Sequence, residues 1–299
     1  MTYDAIIIGG SFAGLTAAMM LARARRPILV IDAGAPRNRF ASHSHGVLAQ
    51  DGRSGGEILA DARAQLAAYP TVTLLQGTVV EATGRDGAFS VRTADGAVAE
   101  GRKLLLATGV ADTLPDIPGL RERWGKTVLH CPYCHGYEIG GGSIGVLATL
   151  PGSARLAGIV ADWGDVTFFA NGGPQPDDKE RAMLERRKVR IEPAPVAAVE
   201  GPGVEMEGIR LEDGRLVPVR ALFVPSFMRM ASPLAEALGC AFDETPAGTL
   251  IRTDTMKLTT VPGVYAAGDA AYGPGNITLA SADGVRAGMG LHHALIADD

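Results

Sequence analysis

A short apolar run, a glycine-rich turn and a helix-like run open this 299-residue chain in that order, and they restrict the fold strongly. Residues 4–8 are rich in isoleucine and do not alternate with polar residues, which predicts a parallel strand buried on both faces. Apolar residues at helical spacing predict a helix over 12–25 that ends before Pro27, and 28–31 predicts a second strand. This βαβ unit indicates an α/β fold with a parallel sheet.

The turn between the first strand and helix has the spacing of a dinucleotide-binding fingerprint. Gly9 permits the tight turn, Gly14 lets the helix and strand pack closely, and the helix N-terminus attracts a pyrophosphate. Ser11 stands at the middle position, where the fingerprint has glycine. Asp32 follows at the roughly 20-residue distance expected of a carboxylate that binds ribose hydroxyls. A glycine-rich turn without a ligand is the alternative.

Two later apolar runs end in small polar motifs. Residues 103–107 are followed by Thr108 and Gly109, and residues 263–267 by Gly268 and Asp269. Ligands of open α/β sheets bind outside the carboxyl ends of the strands, so Asp269 can hold further sugar hydroxyls of a cofactor. A Gly-Asp pair by itself is more typical of a turn.

The α/β pattern starts again in the middle of the chain, with strands predicted at 144–148 and 166–169 and helices at 154–163 and 178–187. The final stretch is too short to fold alone and is expected to complete the first domain. We therefore predict a first domain split in sequence, 1–112 with 246–299, around a smaller middle domain, 113–245.

Charge and composition exclude several classes of protein. The 28 basic residues are outnumbered by 33 acidic ones, and the net charge of -5 provides no basic surface for nucleic acid or anionic lipid. No apolar run approaches the roughly 20 residues that a membrane span needs. No secretory signal pattern is present, and three cysteines are too few for a secreted disulfide framework. We expect a globular cytoplasmic protein.

Two of the cysteines, Cys131 and Cys134, have the spacing of a redox or metal pair, and His135 follows directly. A zinc site needs four ligands, and we predict no metal site because only Cys240 and scattered histidines remain. The same spacing attaches haem in exported proteins and serves glutaredoxins, which are far shorter chains. A redox-active dithiol at a helix N-terminus, where the helix dipole favours a thiolate, is the remaining interpretation.

Together these motifs resemble the low-molecular-weight thioredoxin reductase family over essentially the whole chain. The resemblance implies two Rossmann-like dinucleotide-binding domains of three layers each, with FAD in the split domain, the Cys-x-x-Cys pair in the middle domain, and a homodimer. It assigns Cys134 to the side of the flavin and Cys131 to thiol exchange with the substrate. The residues it implies for FAD are Gly9, Ser11, Gly14, Asp32, Thr108, Gly109, Gly268, Asp269, Ile277 and Thr278.

The chain departs from that family in two places. The family has an aspartate after the second cysteine, whereas this chain has His135, whose unperturbed pKa of about 6.5 suits proton exchange with a thiol. In the middle domain, Leu150 and Pro151 occupy the place that glycines leave for a pyrophosphate, and no arginine follows Phe169 to bind the 2'-phosphate of NADPH. These departures, with the run Cys-x-x-Cys-His-Gly-Tyr-Glu, resemble the gliotoxin/holothin-type dithiol oxidases, in which electrons run from a dithiol through FAD to oxygen.

The sequence thus predicts an FAD-dependent thiol/disulfide oxidoreductase that oxidises a small dithiol or a thioredoxin-like protein. The alternatives are an NADPH-dependent thioredoxin reductase and a flavin-bearing redox sensor or carrier. His43, His45 and Gln50 are candidates for a substrate pocket, and polar loop residues are more often only solvated. His292 and His293 have no assigned role, and Cys240 is predicted to be a small core residue.

Overall fold

The computed structural model describes residues 2–273 and 275–299, and these form two compact units. The first unit holds the chain up to Arg39, Gly55–Ala111 and Arg229–Asp299, and the second holds Phe40–Ser54 and Asp112–Met228. The units divide the chain at other points than the predicted ends of the domains. Residues 229–245 group with the first unit because three of them are buried in its core, namely Leu234, Ala235 and Cys240.

The helices and strands follow one another along the chain in three stretches. The first contains β1 (Thr2–Ile8), α1 (Phe12–Arg23), β2 (Ile28–Asp32), α2 (Gly55–Ala67), β3 (Val72–Gln76), β4 (Val79–Arg85), β5 (Ala88–Thr93) and β6 (Val98–Leu106). The second contains β7 (Val110–Thr113), β8 (Val128–Leu129), α3 (Pro132–Ile139), β9 (Ser143–Leu147), α4 (Ser153–Val160), β10 (Asp165–Phe169), α5 (Asp178–Arg186), β11 (Arg190–Glu192), β12 (Val196–Glu200), β13 (Gly208–Leu211), β14 (Leu216–Pro218) and β15 (Ala221–Phe223). The third contains β16 (Phe227–Met230), α6 (Leu234–Ala237), β17 (Phe242–Thr245), β18 (Gly248–Ile251), β19 (Val264–Ala266), α7 (Asp269–Tyr272) and α8 (Ile277–Asp298).

The first unit is built on a seven-stranded sheet in the order β3-β2-β1-β6-β5-β4, with β19 also paired to β6. β1 is parallel to β2 and β6. This was predicted from its continuous apolar run, which is typical of a parallel strand buried on both faces. Ile7 packs in a cluster with residues of α1, α2 and α8, whereas Ile6 and Ile8 pack in another with residues of β4, β5 and α6. Helices α1, α2 and α8 therefore cover one face of β1, and β4, β5 and α6 cover the other, which gives the three layers predicted.

The second unit repeats this plan with a five-stranded parallel sheet in the order β11-β10-β9-β15-β8 and an antiparallel sheet of β12, β13 and β14. Val146 of β9 packs in a cluster with residues of α4 and α5, and Leu147 packs in another with residues of the antiparallel sheet. Helices cover one face of the parallel strands and strands cover the other. The predicted fold class, two Rossmann-like domains, is confirmed.

We predict that Gly14→Ala will strongly destabilise the first unit. Gly14 is buried in α1, and a Cβ atom there would lie 1.9 Å from the carbonyl oxygen of Gly9, a backbone atom that cannot swing away. Such overpacking costs about 3 kcal/mol or more. Thermal unfolding is the measurement, with Gly77→Ala as the matched control because a Cβ there would be 3.6 Å from its nearest neighbour, an ordinary contact. Equal midpoints for the two variants would contradict the prediction.

Candidate functional site

The parallel strands of the first unit bring most of the predicted cofactor residues to one edge of the sheet. Ile8 is in register with Ile31 and Leu106, and Leu106 with Ala266, so β1, β2, β6 and β19 end side by side. The segments that follow these strands contain Gly9, Asp32, Thr108, Gly109, Gly268 and Asp269. This is the edge at which open α/β sheets bind ligands.

The turn from β1 into α1 presents unfilled backbone donors at that edge. Ser11 is the N-cap of α1, and its side chain makes no capping hydrogen bond within the described structure. The first amides of α1 thus keep the positive end of the helix available for an anion. The amide of Gly10 is used differently, since it donates to Oδ1 of Asp32 at 3.0 Å.

The Asp32 carboxylate is held by an arginine that the sequence pattern did not reveal. Nη2 of Arg63, on α2, donates to Oδ2 of Asp32 at 2.7 Å and to the carbonyl of Gly10 at 3.0 Å. Asp32 is therefore fixed on both sides at the end of β2. An acidic residue at that position is suited to the ribose of a dinucleotide.

The second predicted carboxylate, Asp269, is the first residue of α7 and also pairs with an arginine. Nη1 of Arg37 lies 2.9 Å from Oδ2 of Asp269. The preceding Gly268 has a positive φ of 76° and donates its amide to Oδ2 of the buried Asp283 at 2.9 Å. Lys257, also buried, lies 3.1 Å from the other oxygen of Asp283. Because Asp283 lies on α8, its hydrogen bond with Gly268 fixes this turn to that helix.

The remaining predicted cofactor residues lie on the same unit. Gly109 has a positive φ of 66° just after β6, and Ile277 and Thr278 are the first two residues of α8. Asn276 caps α8 by accepting from the amide of Leu279 at 2.9 Å. The amides of Ile277 and Thr278 are at the positive end of this 22-residue helix. Uncapped amides at α1, two ordered carboxylates and the α8 terminus together fit a dinucleotide such as FAD.

The Cys-x-x-Cys pair belongs to the second unit and forms a disulfide there. Cys131 is the N-cap of α3, Pro132 occupies its first turn, and Cys134 lies one turn into the helix. Proline is favoured at this position because it has no amide hydrogen to leave unpaired. The structure confirms the predicted placement of the pair at a helix N-terminus.

Helix α3 packs against Trp163, a residue that the sequence pattern did not single out. The rings of Tyr133 and Trp163 meet edge to face with centroids 5.5 Å apart. A Cβ atom on Gly136 would lie 2.7 Å from the Trp163 ring, so the helix can pack here only with glycine at that position. Immediately before the pair, His130 contacts the ring of Trp124 at a centroid distance of 5.8 Å.

His135 follows Cys134 on α3 and is largely shielded from solvent. Burial lowers the pKa of His135 below the ordinary value of imidazole, the charge of Glu138 opposes that change, and His45 adds to it. His45 comes from residues 40–54, the segment that groups with the second unit, and its Nδ1 lies 3.4 Å from Oε1 of Glu138. Glu138 was not among the predicted residues, although the motif contains it.

In the turn after β9, where a second dinucleotide would bind, backbone amides already donate hydrogen bonds to an acceptor within the turn. The hydroxyl of Ser153 accepts from the amides of Thr149 at 3.2 Å and Leu150 at 3.1 Å, and it donates to the carbonyl of Leu150 at 2.6 Å. Ser153 is buried. The donors that a pyrophosphate would need in this turn are therefore occupied.

The end of β10 carries no basic side chain in the positions that follow it. Residues 170–175 are Ala-Asn-Gly-Gly-Pro-Gln. The Asn171 side chain accepts from the amide of Val196 at 2.7 Å, which anchors the turn internally. Cys240, the third cysteine, is buried in the core of the first unit as predicted, and burial raises the pKa of its thiol.

A family model described as pyridine nucleotide-disulphide oxidoreductase matches residues 3–284. The chain belongs to this family. Among relatives in the pyridine nucleotide-disulphide oxidoreductase family, thioredoxin reductase tcpT of Claviceps purpurea is 36% identical over 309 residues, which cover 99% of this chain and 95% of the relative. Thioredoxin reductase sirT of Leptosphaeria maculans is 30% identical over 99% of this chain and 95% of its own length. The predicted resemblance is confirmed.

Solved structures also match the whole chain. An oxidoreductase from Agrobacterium tumefaciens superposes with a TM-score of 0.95 at 46% identity, with full coverage of both chains. The crystal structure of HlmI has a TM-score of 0.92 at 37% identity and covers 100% of this chain and 94% of its own. The protein is thus a thioredoxin reductase-like oxidoreductase of the flavoprotein type. Within residues 2–273 and 275–299, no helix has both the length and the apolar composition to cross a bilayer.

Proposed function

We propose that this protein is an FAD-dependent oxidase that closes a dithiol into a disulfide, with dioxygen as the final electron acceptor. The observation that carries the proposal is the Cys131–Cys134 disulfide at the start of α3, followed directly by His135. A disulfide at a helix N-terminus is a good electrophile, because the thiolate released there is stabilised by the helix dipole. Oxidised cysteines beside a base are suited to accept electrons from a dithiol.

In the first step, one substrate thiol gives its proton to His135 and attacks the sulfur of Cys131. The Cys131–Cys134 bond breaks and the sulfur of Cys134 leaves as a thiolate. The second substrate thiol then loses its proton and attacks the first substrate sulfur, which releases Cys131. The substrate leaves as a disulfide. Its electron pair is then held by the two cysteine sulfurs, its first proton by His135 and its second proton by Cys131.

His135 is suited to accept the first proton. Because burial lowers its pKa below the ordinary value, the imidazole is neutral at pH 7 and can act as a base. Its position next to Cys134 on α3 also lets it protonate or deprotonate that sulfur.

FAD, when bound, would supply the two-electron redox chemistry that links the Cys131–Cys134 dithiol to dioxygen, with hydrogen peroxide as the product. Asp32 and the uncapped amides of α1 would hold its adenosine diphosphate half. Asp269 would bind the ribityl hydroxyls, and the amides of Ile277 and Thr278 would stabilise negative charge on the pyrimidine ring.

NADPH-dependent reduction of thioredoxin is the competing function, and the relatives tcpT and sirT, both named thioredoxin reductases, favour it. The Ser153 contacts with Thr149 and Leu150 and the absence of basic residues at 170–175 argue against an NADPH site in this chain. A flavin-bearing redox sensor would share every feature of the disulfide and would not turn over dithiols continuously.

Oxygen stoichiometry tests the proposal directly. Purified holoprotein supplied with dithiothreitol in air should consume one dioxygen and form one hydrogen peroxide for each disulfide produced, over many turnovers. A reaction that stops after one equivalent would identify the sensor. Dithiol oxidation that requires NADP⁺ would identify the thioredoxin reductase.

We predict that Asp269→Ala weakens retention of FAD. Loss of charge-assisted hydrogen bonds of about 1.5–3 kcal/mol corresponds to a roughly 10- to 100-fold weaker affinity. Flavin fluorescence in the ultrafiltrate of the diluted protein measures the loss. Asp243→Ala is the matched control, because Asp243 also pairs with an arginine, Arg252 at 2.7 Å, on the surface of the same unit. Equal flavin release from both variants would exclude Asp269 from the site.

We also propose a substrate class, an assembly and a location for the protein. The substrate is a small dithiol or a thioredoxin-like protein, and the working form is a cytoplasmic homodimer. Light scattering of the purified protein tests the homodimer.

A further inference from the structure

Residues 40–54 form a loop closed by its own hydrogen bonds. The amide of Ser44 donates to the carbonyl of Arg53 at 2.7 Å, and the amide of Gly52 donates back to the carbonyl of Ser44 at 2.9 Å. The amide of Gly46 donates to Oδ1 of Asp51 at 2.7 Å. The loop therefore has a defined shape, from which His45 projects with only 22% of its side chain exposed.

His45 joins this loop to the helix of the disulfide. Its Nδ1 lies 3.4 Å from Oε1 of Glu138 and 3.7 Å from Oδ1 of Asp51. Glu138 is four residues after Cys134 and three after His135 on α3. Residues at these spacings share one face of a helix, and the charge of Glu138 acts on His135 as well as on the loop imidazole.

We propose that Glu138 is a positioning residue shared by two imidazoles, through which His45 of the 40–54 loop governs whether His135 can take the proton of the substrate thiol. This inference rests on the proposed function, in which His135 exchanges that proton. Neither Glu138 nor His45 touches the reacting sulfurs in this scheme. They act on the charge of His135.

The physical basis is that the charge of Glu138 and the neighbouring imidazole of His45 act on His135 in opposite directions. The charged groups that face His45 are Asp51 and Glu138, with the His43 ring at a centroid distance of 6.4 Å. Those that act on His135 are Glu138, which raises its pKa, and His45, which lowers it.

The consequence is a link between the loop and proton transfer. With His45 beside Glu138, the effect of that carboxylate on His135 is partly offset, and the imidazole of His135 is available to accept a proton. When the loop moves away, the Glu138 charge acts on His135 alone and favours its protonated form. A substrate that displaces the loop would thereby change the proton affinity of His135.

The test is the titration of His135 in the oxidised holoprotein, followed by nuclear magnetic resonance of labelled histidine. The chain has six histidines, and His135→Asn assigns the resonance. Glu138→Gln should move the His135 midpoint to lower pH, and His45→Asn should move it to higher pH. Glu185→Gln, which removes an equal charge from exposed α5 of the same unit, should leave it in place.

A merely structural role for Glu138 would not produce opposite shifts from the two variants. Unchanged midpoints in both, or shifts in the same direction, would overturn the proposal. The titration needs no substrate, so its result tests the role of Glu138 even if the protein does not oxidise dithiols. In the active enzyme, the acidic limb of the pH profile of kcat/KM for dithiothreitol should follow the same two directions.

Discussion

Cys134→Ser is expected to abolish dithiol oxidation, with a loss of about 10⁴-fold or more, and to trap a disulfide probe on Cys131. Removing one member of a catalytic unit costs nearly the whole of its contribution. With Cys134 absent, the Cys131 thiolate can attack the probe cystine and release one half of it, but no neighbouring thiol resolves the mixed disulfide. Oxygen consumption measures the turnover, and intact-protein mass spectrometry detects the adduct.

Two further variants test the separate roles assigned to Cys131 and Cys134. Cys131→Ser should lose turnover to the same extent and should accumulate little adduct, since Cys134 is the inner thiol in the proposed scheme. Cys240→Ser is the control, because that thiol is buried in the first unit and should affect neither reading. Turnover at the parent rate in both Cys131→Ser and Cys134→Ser would refute the mechanism.

NADPH is expected to reduce the bound flavin about 10² to 10⁴ times more slowly than dithiothreitol does. The second unit offers no free amides at Thr149 and Leu150 and no arginine at 170–175, so at least two charge-assisted contacts of about 1.5–3 kcal/mol each are missing. Stopped-flow absorbance of the flavin under anaerobic conditions gives both rates on one sample. Rapid bleaching by micromolar NADPH would instead support a thioredoxin reductase.

The Ser153→Ala variant separates the two causes. It frees the amides of Thr149 and Leu150 without adding a basic residue. If the missing arginine matters more, this variant should remain slow with NADPH. A large gain would show that the closed turn alone blocks the nucleotide.

Local sequence patterns were enough to predict the first strand and the position of the disulfide. The isoleucines of β1 predicted a parallel strand because burial on both faces leaves no alternation, and Cys131 was correctly placed at a helix N-terminus. No local pattern indicated the short strands and the four-residue helix between 227 and 251, whose positions depend on packing into the core of the first unit. The domain limits differ from the compact units for the same reason.

The sequence by itself determined the first βαβ unit, the glycine turn with Asp32, and the disulfide motif, because each depends on residues within a few turns of one another or on a regular spacing. Only the tertiary structure decided which distant side chains meet. Arg37 and Asp269 are 232 positions apart, and Arg63 and Asp32 are 31 apart. His45 reaches Glu138 because residues 40–54 lie in the second unit. Such contacts follow from how strands are arranged in the sheet and where loops cross it, which no local spacing encodes.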